Sequence, residues 1–144
     1  MEKKYTTCSE QETIELGKRW AEEVADCNVT VALIGDLGAG KTTFVKGVAK
    51  GWGIQEQIKS PTFVVMKEYD CPVGKVVHVD AYRLQDDFED IGLADYFGRA
   101  KVLVEWAENI AGVMPDDTIC INFRHVDGGR EITFNMQDSI CNNQ

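Results

Sequence analysis

Only three prolines interrupt the 144 residues, and no apolar run reaches the roughly 18 residues of a membrane span. The opening Met1-Glu2-Lys3-Lys4-Tyr5 leads into polar residues rather than the apolar stretch of a secretion signal. A cytoplasmic protein with no membrane partner is therefore expected. Five cysteines (Cys8, Cys27, Cys71, Cys120 and Cys141) are odd in number and widely spaced, with no Cys-x-x-Cys pair and no Cys/His cluster. Neither a structural zinc nor a disulfide framework is therefore indicated, and reduced, mostly buried thiols are expected. Bases are scarce: 15 against 24 acids, for a net charge of −9, and they are scattered along the chain. An acidic surface without a basic patch repels nucleic acid, so any role in an RNA pathway is expected to reach the RNA only indirectly. No repeat, low-complexity tract or Pro/Gly/Ser linker divides the chain, so residues 1–144 read as a single domain.

Two further absences narrow what the chain can do. An Asn-Lys-x-Asp guanine-reading motif is missing, which argues against a GTPase. Arg83, Arg99, Arg124 and Arg130 stand singly, without the arginine-rich lid of a small-molecule kinase.

What is present is an α/β pattern. Ser9 followed by Glu12 forms a capping box, and Ile14, Gly17, Trp20, Ala21 and Val24 recur at helical spacing. Residues 29–34 are nearly all apolar, as in a strand buried on both faces. A helix is expected over residues 42–50, stopped by Gly51 and Gly53. Residues 64–69 and 76–79 predict a hairpin around a six-residue turn, 70–75. Residues 101–104 form another buried-strand candidate, and 118–123 and 130–136 two more, divided by Asp127-Gly128-Gly129. The sum is a single-domain α/β protein, its mixed central sheet flanked by helices, and the glycine-rich segment 35–42 after its first buried strand gives it the P-loop NTPase type.

Between the first apolar strand and its helix stands Gly35-Asp36-Leu37-Gly38-Ala39-Gly40-Lys41-Thr42, which satisfies G-x-x-x-x-G-K-[ST]. Glycines let the backbone wrap an anion closely enough for its N–H groups to meet phosphate oxygens. The following helix adds the positive end of its dipole, Lys41 a mobile cation for the β- and γ-phosphates, and Thr42 a hydroxyl for magnesium. The pattern arises by chance in about half a percent of chains this long, so ATP with magnesium is the expected ligand.

Such a loop needs a carboxylate across the site. Asp80 ends one apolar strand and Glu105 another, and spacing alone does not rank them. Pro61 stiffens Ser60-Pro61-Thr62, so Thr62 is a candidate switch-loop hydroxyl toward the γ-phosphate, although a plain Ser-Pro turn is the commoner reading. His78, between valines, fits a hydrogen-bonded core histidine better than a base.

Four segments taken together, Gly35 to Phe44, Ser60-Pro61-Thr62-Phe63, His78-Val79-Asp80-Ala81-Tyr82-Arg83-Leu84 and Val104-Glu105-Trp106-Ala107, resemble the TsaE family in order. Asp90-Ile91-Gly92-Leu93-Ala94-Asp95-Tyr96-Phe97 adds to the likeness, which covers nearly the whole chain. The resemblance implies a slow ATPase of bacterial tRNA threonylcarbamoyladenosine biosynthesis that acts with TsaB and TsaD. It implies phosphate contacts from Gly38, Ala39, Gly40, Lys41, Thr42 and Thr43, and magnesium on Thr42 and Glu105. Asp80 is then expected beside the metal and the attacking water, with Thr62 on a switch-like loop. Adenine contacts are expected near Glu10 and Gly129. An ATP-gated binding module without catalysis is the alternative, with a small-molecule kinase behind it. The acidic stretch 84–89 and the tail after Asn135 depart from the family pattern.

Overall fold

The computed structural model describes residues 2–35, 40–55, 66–81 and 92–135. Strands β1 (Glu2–Thr7), β2 (Thr30–Gly35), β3 (Met66–Cys71), β4 (Gly74–Asp80), β5 (Lys101–Glu105), β6 (Ile119–Val126) and β7 (Gly129–Asn135) form one sheet in the order β1-β7-β6-β2-β5-β4-β3. The four inner strands β6, β2, β5 and β4 run parallel, and the outer pairings are antiparallel. The mixed sheet is thus as expected.

Helices α1 (Glu10–Glu23) and α2 (Lys41–Trp52) cover one face. Their contact with the sheet is aromatic: Trp20 stands about 6 Å from Phe44, Trp52 and Phe134 by ring centroids. Close approach of the two helices requires glycine, because a Cβ on Gly47 would run into the Ile14 carbonyl and one on Gly17 into that of Phe44. The Trp52 indole N–H seals the contact by donating to the Ala21 carbonyl at 2.8 Å. The other face carries two short 3₁₀ helices, Leu93–Tyr96 and Ala107–Val113, over Val77, Val79, Val102 and Val104.

Ser9 caps α1 as the sequence predicts: its Oγ accepts from the Glu12 N–H at 3.1 Å, while the Glu12 carboxylate accepts from the Cys8 N–H at 2.7 Å. Five expectations need correction. Strand β1 was not foreseen, because an edge strand with five exposed residues carries no alternating apolar signal. Helix α2 runs through Gly51 to Trp52 and ends at Gly53 (φ 77°). The hairpin turn is two residues, Pro72-Val73, since Asp70 and Cys71 pair with Lys75 and Gly74 and extend the ladder. The tail hairpin is likewise tightened to Asp127-Gly128. Cys8, Cys71 and Cys120 are free thiols, but Cys27 is disulfide-bonded, against the expectation of thiols throughout.

Candidate phosphate-loop site

Strand direction decides where chemistry collects. The parallel strands β2, β4 and β5 end at one edge of the sheet, at Gly35, Asp80 and Glu105. Being antiparallel to β6, β7 starts at this edge, with Gly129, and β1 ends there, at Thr7. Both helices begin at the same edge, α1 at Glu10 and α2 at Lys41. This is the carboxyl edge at which open α/β sheets bind ligands.

In the middle lies the start of α2. Gly40 takes φ 103°, a left-handed conformation closed to most residues, and offers no side-chain cap to the first turn. The N–H groups there are what an anion needs. Lys41 is 95% buried at the opposite extreme from its usual exposure, with 5% of its surface accessible. Its Nζ donates to the Gly35 carbonyl at 2.7 Å and stands 4.3 Å from the centre of the Trp106 ring. Thr42 is exposed and Thr43 half-buried.

On the β5 side, Asp80 and Glu105 are register partners on adjacent parallel strands. Glu105 is 5% exposed, and its Oε2 lies 2.6 Å from Nε2 of His78, itself 1% exposed. His78 is therefore a core histidine, as its sequence setting predicts, and it also buttresses one of the two candidate acids. The chain leaves β5 through Trp106 at φ 60° and ψ 37°, the only non-glycine with positive φ among the described residues. Such a conformation costs about 1 kcal/mol or more and is held by its surroundings. Here the Ala81 N–H donates to the Glu105 carbonyl at 2.9 Å, and the Asn109 amide to the Ala81 carbonyl at 3.0 Å. These bonds fix the exits of β4 and β5 to one another and aim the Trp106 ring at Lys41.

On the β7 side, a Cβ on Gly129 would strike the Thr7 carbonyl, so the start of β7 lies flush against the segment that leads into α1. Thr7 and Thr13 share a buried hydroxyl hydrogen bond of 2.7 Å. Gly129 thus sits against Thr7 and Cys8, two residues before the exposed Glu10. Of the expected site residues, the structure brings Gly40, Lys41, Thr42, Thr43, Asp80, Glu105, Glu10 and Gly129 to one edge; Gly38, Ala39 and Thr62 lie outside the described residues.

For magnesium the donor set is hard oxygen, a threonine hydroxyl and carboxylates, which suits that ion. Among the described residues no three His, Cys, Asp or Glu side chains cluster as a protein-only cage. Magnesium usually takes only one or two carboxylates and draws its other ligands from phosphate and water, so the residues fit. A separate groove of about 550 Å³, lined by Ile34, Ala107, Met114, Pro115 and Cys120, opens on the other face and contains none of the expected site residues. Burial there holds the Cys120 thiol above its ordinary range. No described helix is long and apolar enough to cross a membrane.

Sequence reasoning missed the contact between His78 and Glu105, the Trp106 ring over Lys41, and the packing of Arg130 described below. An alternation signal was available for the first, since His78 and Asp80 share a strand face.

A mixed sheet whose first parallel strand feeds a glycine-led helix, with acids at the neighbouring strand ends, defines a P-loop NTPase-like α/β domain. Comparison with known proteins gives the particular family. Residues 7–132 match the model of TsaE, the threonylcarbamoyl adenosine biosynthesis protein. The chain is 42% identical to the tRNA threonylcarbamoyladenosine biosynthesis protein TsaE of Bacillus subtilis, over 96% of this chain and 90% of that one. It is 36% identical to the Haemophilus influenzae protein of the same description, over 90% and 87% of the two chains. The crystal structure of Bacillus subtilis YdiB superposes with a TM-score of 0.82 at 37% identity, covering 99% of this chain and 88% of that one. The chain belongs to the TsaE family.

Proposed function

We propose that this protein is a slow, magnesium-dependent ATPase of tRNA threonylcarbamoyladenosine biosynthesis, acting in the cytoplasm through TsaB and TsaD and meeting tRNA only within that assembly. One observation carries the reading: Lys41 and the start of α2 share a sheet edge with the register-paired acids Asp80 and Glu105. Lys41 then exchanges the Gly35 carbonyl and the Trp106 ring for phosphate oxygens, which are the stronger partners for an ammonium. Gly40 keeps the backbone close to the anion, and the unshielded N–H groups of α2 orient it. Thr42 and Glu105 are the residues to hold magnesium, which when bound neutralises charge on the β- and γ-phosphates. Asp80, half-buried and in register with Glu105, is the residue this reading gives the task of orienting a water. The names of the family and of the TsaE relatives support the pathway; the net charge of −9 supports indirect rather than direct contact with tRNA.

The test is a reconstituted tRNA modification reaction with Lys41→Ala. Abolition of ATP-dependent modification is expected, and full modification by that variant rejects the reading.

A further inference from the structure

Strand β7 turns Phe134, Ile132 and Arg130 toward the helices, and the first two are fully part of the aromatic core. The row ends in a cation at the very edge where α2 begins. Arg130 is half-buried there rather than fully extended into solvent. A Cβ built on Gly40 would lie 2.7 Å from Arg130 Cδ, 3.1 Å from Nε and 3.9 Å from Thr13 Cγ2, so the arginine stem lies along the phosphate-loop glycine. Its Nε is shut off from water and has no hydrogen-bond partner among the described residues. A buried donor of a charged group without an acceptor is costly, and such atoms are rare in native proteins.

The electrostatic setting sharpens the point. Arg130 rests against the N-terminus of α2, the positive end of a helix whose first residue is Lys41. Among the described residues it forms no ion pair. Arg124, one strand away on the opposite face, pairs with Glu131 at 3.1 Å and shows what this sheet does with an arginine that has only a structural task. A cation placed against a helix N-terminus raises the positive potential there, which makes sense where an anion is bound.

We propose that Arg130 is a nucleotide-binding residue whose guanidinium, seated on Gly40, engages the phosphates of the bound nucleotide alongside Lys41 and the first turn of α2. This rests on the reading of the loop as a nucleotide site. Arg130 contacts the ligand from the β7 side of β2, opposite the flank that carries the metal-site acids of β4 and β5.

The experiment is calorimetric titration of the full chain with ADP and with ATP in the presence of magnesium, for the parent, Arg130→Met and Arg130→Lys. Methionine preserves an apolar stem on Gly40 and removes the charge; lysine restores a charge without the planar fork. The expected result is a loss of about tenfold or more in affinity for Arg130→Met, recovered to within about threefold by Arg130→Lys, as fits one charge-assisted contact. The gap between parent and Arg130→Met is expected to narrow as salt is raised. Equal affinity of parent and Arg130→Met overturns the assignment, and so does an equal loss in both variants. A parent that binds no nucleotide is a different failure, that of the nucleotide reading itself.

Discussion

The two ends of β5 both bury a charge, and they handle it in opposite ways. Lys101 opens the strand with 1% of its surface exposed, and Glu105 closes it with 5%. Lys101, Leu103 and Glu105 share the helix-facing side of a strand that is buried along its whole length. At the far end, the Lys101 ammonium donates to the Val73 carbonyl at 3.0 Å and lies 5.7 Å from the Trp52 ring. Burial pushes its pKa below the ordinary lysine range, and the neighbouring Cys71 and Asp26 only partly oppose that. At the site end, the Glu105 carboxylate is met by His78 at 2.6 Å and faces the sheet edge that holds Lys41. The lesson is that burial alone does not mark a functional charge. A titratable partner and a position at the carboxyl edge of parallel strands are what make Glu105 the candidate.

The largest effect is expected where the comparison is most direct. Glu105→Gln keeps the shape of the side chain and removes its charge. ATP hydrolysis is expected to fall by about 100-fold or more, as when one preorganised charge is lost from a site, while affinity for ADP changes by a few-fold at most. Stopped-flow phosphate release and calorimetry measure the two quantities. The same variant separates the two functional readings in a reconstituted system. One round of tRNA modification per bound ATP fits an ATPase that resets the assembly; many rounds without hydrolysis would instead make ATP a gate.

A smaller effect is expected one residue back from the site. His78 meets the Glu105 carboxylate, so His78→Gln is expected to lower the rate of hydrolysis by about tenfold, the scale seen when the partner of a site ligand is removed. Glutamine can still donate a hydrogen bond, so His78→Leu, which removes the bond His78 makes to the buried carboxylate, is expected to cost more, with a stability loss of about 1–3 kcal/mol. Urea unfolding alongside the kinetics checks this. A rate unchanged in His78→Leu would reduce the histidine to packing.

How far these features were legible in the sequence follows from which signals are local. The apolar runs of β2 and β5 and the capping box at Ser9 are local patterns, and their elements formed as expected. The hairpins were longer than read because a turn-forming composition, such as Asp70-Cys71-Pro72-Val73-Gly74-Lys75, does not say how many of its residues join the ladder; here cross-strand pairs, with Lys75 bonding Glu68 at 2.9 Å, extended the strands. Strand β1 has no apolar face of its own beyond Tyr5, which packs edge-on to Phe134, and it exists because β7 offers it an unpaired edge. Asp80 and Glu105 could not be ranked by spacing, and the structure explains why both were visible: they are register partners at the ends of two parallel apolar strands. What distinguishes Glu105 is His78, a contact between residues 27 apart that no local pattern encodes.

The smallest expected effect belongs to the other end of β5, and it concerns pH rather than activity. Burial lowers the folded-state pKa of Lys101 from its ordinary 10.5, so the unfolded chain binds the proton more tightly than the folded one. Between the lowered value and 10.5 the unfolded state therefore carries more protons, and the Lys101 contribution makes stability rise with pH. Below that window the penalty for holding the buried ammonium is present in full and no longer varies with pH. Lys101→Met removes the titration while keeping a flexible apolar side chain in contact with Trp52. Urea midpoints taken at steps from pH 7 to about pH 10, within the range where an ordinary lysine stays mostly protonated, are expected to show the variant at least as stable as the parent at the low end. Replacement of a buried charge by an apolar group of similar volume is often neutral or stabilising, which gives the sign. The advantage of the variant is expected to shrink as pH rises, because only the parent is relieved by losing its proton. An identical pH dependence in both proteins would mean that Lys101 is solvated through its bond to Val73 and its neighbours, and the contrast between the two ends of β5 would then lie in their partners alone. Hydrolysis by Lys101→Met is expected to match the parent throughout, since the lysine sits at the opposite end of the strand from Glu105.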